Sequence, residues 1–460
     1  MKAKYDVIIV GAGPAGIFSA LELSRQGKVR VLMLDKGPEL EKRRCVQQET
    51  GVCAHCNPCR LISGWGGAGA FADGKLTLSP EVGGHLSEIL PRQEVVQLIQ
   101  EVDRTWVHFG ASQVIHGADM DEIERLQKKA ARAGLRLVAN PIRHMGTDRT
   151  RDILRGMREE LLACGVEIRM GTPVQDLLVR DGRVVGVTTA QGETLEAEYV
   201  VIAPGREGAS WLAEQAKKLN LRLSRNPVDV GVRVELPATV LEPLTNVTYE
   251  PKLIYYSRAF DDRVRTFCVC PYGEVVTEYV DDVVTVNGHS YADRKTDNTN
   301  FAVLVSKSFT EPFKEPIAYG KYIARLANLL GGGVIVQRLG DLEQGRRSTA
   351  ERMSRSLVTP TLQAATPGDL GLVFPYRHLA NILEMLRAMD ELTPGVFSRH
   401  TLLYGVEVKF YSSRLELDGT LETQVRGLFA VGDGAGVTRG LVQASASGVL
   451  AAREILRRLG

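Results

Sequence analysis

The sequence predicts an α/β chain: a three-layer ββα domain around a parallel sheet, with a second, discontinuous and mostly antiparallel β-sheet domain. Three observations predict it. Residues 5–37 run strand, glycine turn, helix, strand, acid. Residues 221 to about 400 carry stretches such as VGVRVEL, KLIYYS, RTFCVCPYG and VVTVNG, whose alternation suits antiparallel strands. Residues 427–456 read as strand, Gly-Asp turn, loop and helix. The predicted division is 1–80, 150–215 and 401–460 for the first domain, 81–149 for a helical insertion and 216–400 for the second domain.

In the opening stretch, Val7 to Val10 form a short continuous apolar run, the mark of a strand buried on both faces. Gly11, Gly13 and Gly16 follow in G-x-G-x-x-G spacing. Gly11 permits the tight turn, Gly13 lets a pyrophosphate approach the backbone, and Gly16 lets the next helix pack on the strand. The helix begins near Pro14 and Ala15, where proline's missing N–H costs nothing. Its remaining N–H groups and its dipole favour phosphate. Val29 to Leu34 read as the second strand, and Asp35, followed by Lys36, stands where a carboxylate accepts ribose hydroxyls. The plain alternative is a glycine-rich strand–helix turn with no ligand.

The whole chain sets broad limits. Its 460 residues suggest two or three domains. Lys plus Arg number 57 and Asp plus Glu 55, a net charge of +2 that makes no case for nucleic acid or an acidic partner. No apolar run reaches the length of a bilayer span. MKAKYD leads straight into the first strand, which predicts no signal peptide and a cytoplasmic chain. There, seven cysteines argue for thiol or metal chemistry at any cluster rather than a disulfide framework.

Such a cluster follows the second strand. Cys53, Cys56 and Cys59 stand in C-x-x-C-x-x-C spacing, with Cys45 upstream and His55 between. Four thiols this close are candidate ligands for zinc or an iron–sulfur cluster. A dithiol–disulfide pair is the second reading, and a loop of unrelated thiols the third. Next comes ISGWGGAGAFADGKLTLS, in which Gly64, Gly66, Gly67, Ala68 and Gly69 let backbone lie against a flat or charged ligand. Lys75, near Asp73, is a candidate catalytic cation, with a salt bridge as the plainer role.

Gln93 to Phe109, Asp119 to Ala133 and Thr147 to Cys164 have helical spacing. Strands are expected at Val166–Met170, Val174–Val179, Val184–Thr189 and Tyr199–Ala203, the last ending in the turn Ala203, Pro204, Gly205. In the second domain Cys268 and Cys270 share one face of a strand, as two small buried residues or as a redox pair. Arg347 in GRRST is a candidate for holding a substrate carboxylate or phosphate, and a solvated turn is the alternative. Glu407 and Lys409 face the same way on YGVEVKF and complete the polar candidates. Near the end, Gly432 and Asp433 form a turn suited to polyol hydroxyls, and Leu441 and Val442 open a helix whose N-terminus favours negative charge.

Together GAGPAG, Asp35 and GLFAVGDGAG resemble the FAD-binding signature of the glutathione-reductase-like flavoproteins. The resemblance is to the branch with one dinucleotide-binding Rossmann unit and a discontinuous substrate domain, as in para-hydroxybenzoate hydroxylase. GWGGAGAFADGKL, RHMGTD, NGHSY, NTNFAVLV, GRRST and YGVEVKFYS resemble an FAD-dependent dehydrogenase family across nearly the whole chain. The resemblance implies FAD as cofactor, with Gly11, Gly13, Gly16 and Asp35 on the ADP half and the Val174 backbone at adenine. It puts Gly432 and Asp433 at pyrophosphate and ribityl, and Leu441 and Val442 at the flavin ring. It implies an oxidoreductase acting on a small-molecule substrate or an electron-transfer partner. The alternatives are a flavin monooxygenase or isoprenoid-type reductase, and a non-enzymatic flavin-dependent or RNA-modification protein. No second G-x-G-x-x-G follows residue 150, so a dedicated NAD(P)H domain is not expected.

Overall fold

Apolar runs from the start, middle and end of the chain become neighbours in one parallel sheet. The computed structural model describes residues 5–25, 27–46, 54, 56–71, 74–145, 147–224, 227–280, 282–291, 294–307, 309, 315–410 and 414–460. The chain divides into two units, residues 1–115, 143–226 and 412–460, and residues 116–142 and 227–411.

In the first unit the parallel order is Glu167–Met170, Val31–Asp35, Tyr5–Val10, Thr194–Ile202, Leu428–Ala430. Tyr5–Val10 is central and almost wholly buried, as its unbroken apolar run requires. Thr194–Ile202 starts five residues before the expected Tyr199. Its alternating half pairs antiparallel with Arg183–Thr189, Leu195 opposite Val187. Its continuous apolar half, Val200 to Ile202, pairs in parallel with both Tyr5–Val10 and Leu428–Ala430. One strand thus belongs to two layers, and its change of pattern marks the crossing. Val174–Arg180 completes the antiparallel layer.

Helices Pro14–Ser24 and Leu441–Leu459 lie in close contact in this unit. Ser19 Oγ donates to the Gly448 carbonyl at 3.0 Å, and a Cβ on Gly448 would stand 2.1 Å from the Ala15 carbonyl oxygen. The small residues Ala444 to Gly448 are therefore a helix–helix contact surface. Helix Arg92–His108 packs beside Leu441–Leu459 and buries Val95, Leu98, Ile99, Val102 and Trp106.

The second unit is an eight-stranded sheet in the order Thr366–Pro367, Ile335–Arg338, Leu402–Lys409, Val228–Pro237, Asn298–Lys307, Arg263–Cys270, Lys252–Tyr256, Arg136–Val138. Every pairing but the first is antiparallel. Helices Pro316–Gly331 and Tyr376–Leu392 cover one face with an apolar core. The hairpin Glu274–Val280 and Val283–His289 lies over the other face. Alternation in VGVRVEL predicts a wet face, yet Arg233 and Glu235 are fully buried. The hairpin is the reason: a Cβ on Gly288 would meet the Arg233 guanidinium. Among the described residues no helix is long and apolar enough to cross a membrane.

Candidate functional site

Glycines from four separate stretches of the first unit meet around the start of helix Pro14–Ser24. Gly11 sits at φ +112°, and a Cβ there would lie 2.1 Å from the Ala203 carbonyl oxygen, so this turn accepts no side chain. The loop after the cysteines lies on the same turn: Gly66 N–H donates to Ala12 O at 2.8 Å, and a Cβ on Gly67 would be 3.1 Å from Gly13 Cα. Gly69 faces Leu441, while Gly432 faces the Ala15 side chain. A Cβ on Gly434 would touch the Gly205 carbonyl at 2.4 Å, which brings the turn Ala203–Gly205 to the late Gly-Asp turn. Gly171 N–H bonds Gly37 O and Thr172 N–H bonds Asp35 O, placing Val174 beside the end of the second strand. Ala68 lies in the short helix Gly67–Phe71.

The polar groups are arranged to match. Asp35 Oδ2 accepts Ala12 N–H at 2.8 Å and Oδ1 accepts Gly37 N–H at 2.7 Å. Lys36 pairs with Glu207. Asp433 accepts the Thr438 hydroxyl at 2.9 Å and Gly440 N–H at 3.2 Å. Burial pushes the Asp433 carboxyl up, and the charge of Arg206 and these hydrogen bonds oppose it. Helices Pro14–Ser24 and Leu441–Leu459 start from glycine N-caps, Gly13 and Gly440. Neither has a capping side chain or an acid in its first turn. Their first N–H groups and positive dipole ends thus remain for an anionic ligand. This is the donor set a dinucleotide pyrophosphate and a flavin ring need, so the residues fit FAD.

Several contributors escape sequence reading. Ser447 Oγ accepts Gly432 N–H at 3.0 Å and fixes the late turn. Buried Arg43 donates to the carbonyls of Arg60, Leu61 and Trp65 at 3.0, 2.6 and 2.6 Å, and so shapes the approach to the glycine loop. Burial lowers Arg43 to about 10, although the charge of Asp35 works against it. Trp65 is buried, with its indole N–H on Leu154 O at 2.8 Å. The run of small residues at 444–448 is the signal that foreshadows Ser447.

The expected metal site looks different. Cys53 and His55 lie outside the described residues, as does Asp73. Cys45 and Cys59 are half-buried, Cys56 is exposed, and all three carry thiols rather than disulfides. Among the described residues no group of three or more His, Cys, Asp or Glu could hold a metal ion. The spacing implies convergence of Cys45, Cys53, Cys56 and Cys59, a site of which Cys53 lies outside the described residues; beside it, Arg43 ties residues 60–65 together through backbone carbonyls.

Lys75 begins strand Lys75–Thr77 of the first unit, which packs beside helix Leu441–Leu459. The other polar candidates belong to the second unit. Arg347 is exposed on its turn, and the neighbouring Arg346 bonds Asp341. Glu407 and Lys409 are indeed side by side, Nζ to Oε1 3.2 Å, but Glu407 is fully buried and also bonds Arg233 at 3.3 Å. Lys409 further meets Glu278 at 3.2 Å. These charges form a buried network, their attractions directed at one another.

Comparison with known proteins gives the family. The family described as FAD dependent oxidoreductase matches residues 6–302. A second, described as FAD-dependent protein, C-terminal domain-like, matches residues 227–410. A Clostridium beijerinckii protein, described as "Uncharacterized protein", is 27% identical across 98% of this chain and 80% of its own length. Protein FixC of Escherichia coli is 27% identical, across 52% of this chain and 45% of its own length. Among solved structures, glycine oxidase from Geobacillus kaustophilus aligns at 15% identity, covering 99% of this chain and 95% of its own, with a TM-score of 0.40. The 3-ketosteroid-delta4-(5alpha)-dehydrogenase from Rhodococcus jostii aligns at 14% identity, covering 99% and 98%, with a TM-score of 0.44.

Proposed function

Because the chain belongs to the FAD-dependent oxidoreductase family, we propose that its glycine cradle holds one FAD noncovalently. The enzyme then moves an electron pair between that flavin and a small-molecule substrate. The observation that carries this reading is the pair of glycine-capped helices, Pro14–Ser24 and Leu441–Leu459, whose first turns lack both side-chain caps and acids.

Bound FAD supplies two-electron chemistry; the chain supplies position and field. Backbone N–H groups of Ala15 and Gly16 would bind pyrophosphate oxygens, with Gly11, Gly13, Pro14 and Gly432 offering close approach. Asp35 already takes two backbone N–H groups, and its remaining lone pairs accept ribose hydroxyls. The Val174 backbone would hold the adenine, and Lys36, paired with Glu207, would hold the ribose side. Asp433 accepts ribityl hydroxyls, and the turn Ala203, Pro204, Gly205 closes that side. The loop Gly66, Gly67, Ala68, Gly69 excludes water from the turn beneath it. N–H groups at Leu441 and Val442 favour the negative charge that reduction brings. Lys75 is the polar candidate near this helix. A single dinucleotide unit supports the branch typified by para-hydroxybenzoate hydroxylase, with reductant taken up at the flavin rather than in a dedicated NAD(P)H domain. The reading needs no iron–sulfur cluster or zinc at Cys45, Cys53, Cys56 and Cys59.

Anaerobic titration followed by flavin absorbance tests it. The bound flavin is expected to bleach on taking up two electrons from dithionite, and to do so with NADH, NADPH or an organic donor. Lys75→Met should slow reduction by the organic donor at unchanged FAD content. A bound flavin that no reductant bleaches contradicts the reading.

A further inference from the structure

The oddest cysteine geometry lies in the second unit, apart from the motif-rich loop. On strand Arg263–Cys270, Phe267 pairs with Ala302 and Cys270 with Asn300, so Cys268 and Val269 together stand opposite Phe301. This is a bulge. Cys268 carries it at φ +44°, a region that non-glycine residues rarely occupy and that is often tied to function where it persists. In a regular strand, residues two apart have Cα atoms about 6.6 Å from each other, at the outer edge of what a disulfide spans. The left-handed residue bends this path, and the two sulfurs stand 3.9 Å apart.

The surroundings favour thiolate chemistry. Arg233 Nη2 donates to Cys270 Sγ at 3.2 Å and to the Cys268 carbonyl at 2.6 Å. Arg233 and Lys409 both interact electrostatically with the Cys268 sulfur, and a nearby cation stabilises a thiolate. Glu407 and Glu278 neutralise part of that field through Arg233 and Lys409. Exposure assigns the order of attack: Cys268 is half-buried and Cys270 fully buried. Two small core residues would explain neither the left-handed backbone nor a guanidinium bonded to sulfur.

We propose that Cys268 and Cys270 form a thiol–disulfide exchange site that takes a low-molecular-weight disulfide such as oxidised glutathione. The Cys268 thiolate attacks one glutathione sulfur; the glutathione S–S bond breaks, and the first glutathione leaves as a thiolate that takes up a proton. The Cys270 thiol loses its proton to water and its sulfur attacks Cys268 Sγ. The mixed disulfide breaks, the second glutathione leaves, and a Cys268–Cys270 bond remains. The protein has given up two electrons, and one oxidised glutathione has become two thiols. The site is independent of the flavin reading, because oxidant and reductant are both named.

The test uses the whole flavin-loaded protein equilibrated in glutathione buffers of graded redox ratio, then acid-quenched, alkylated and digested with trypsin. No Lys or Arg lies between Arg265 and Arg294, so one peptide carries Cys268 and Cys270 and no other cysteine. This peptide is expected to lose two hydrogen masses and escape alkylation as the buffer becomes oxidising, and to regain both thiols on reduction. Cys270→Ser should instead trap one glutathione on Cys268. Two alkylated cysteines in the most oxidising buffer would overturn the proposal. So would a lasting glutathione adduct on the wild-type peptide, or a bond from either cysteine to a different peptide.

Discussion

The glycine cradle of the first unit and the ion network of the second solve opposite problems. The cradle presents polar backbone with nothing attached: Gly11, Gly13, Gly205, Gly432 and Gly440 keep side chains away, and two helix starts are left uncapped. The network presents charge with no ligand needed: Arg233 is satisfied by Asn300, Glu407 and Cys270. Glu235 is held by Tyr404, Thr361 and Asn298 at 2.5, 2.5 and 3.1 Å. Unspent hydrogen-bonding capacity marks a place for a ligand, whereas spent capacity marks architecture.

That contrast is broken most severely at Gly11. Gly11→Val must place carbon within 2.1 Å of a carbonyl oxygen at φ +112°. We expect a loss of more than about 4 kcal/mol of stability and of all bound flavin, read by thermal unfolding and absorbance. Arg233→Met attacks the other region. It leaves Glu407 buried beside Lys409 alone, and breaking a buried pair costs about 3–5 kcal/mol. Arg233→Met with Glu407→Leu should recover part of this in urea unfolding, and an unchanged midpoint in the single variant would mean the network is idle.

A third prediction sharpens the second unit's role through pH. His378 is buried on helix Tyr376–Leu392, and burial with the charge of Lys307 lowers it to about 4, Asp262 opposing. The folded value lies below the unfolded one, so the unfolded chain binds the proton first. Stability should hold above pH 6.5 and fall by about 3 kcal/mol as pH drops towards 4. His378→Leu should flatten that slope; an identical slope in the variant would place the sensitivity elsewhere. The smallest effect belongs to the cradle. Ser447→Ala removes the acceptor for Gly432 N–H and should cost about 1 kcal/mol in urea unfolding, with weaker FAD retention.

Sequence reading reached the two regions unequally, for physical reasons. Glycine turns are local: Gly11 to Gly16 and Gly432 announce themselves because no other residue can take their place, and Asp35 follows at a fixed distance. The helices near 93–109, 119–133 and 147–164 were equally plain from their spacing. Side chains that act across the chain are not local. Trp65 finds Leu154, Arg43 finds residues 60–65, and Arg233 finds Glu407 only after folding. Alternation around Arg233 was a fair sign of a strand but a poor guide to its wet face, because the covering hairpin comes some fifty residues later. The C-x-x-C-x-x-C spacing invited a metal reading that the described thiols do not assemble.

The central claim is one noncovalent FAD in the cradle, and its most direct measurement is the flavin released when purified enzyme is denatured. FAD, one per chain, is expected in the supernatant, and less of it from Asp35→Ala. A colourless enzyme that also takes up no FAD on incubation would contradict it.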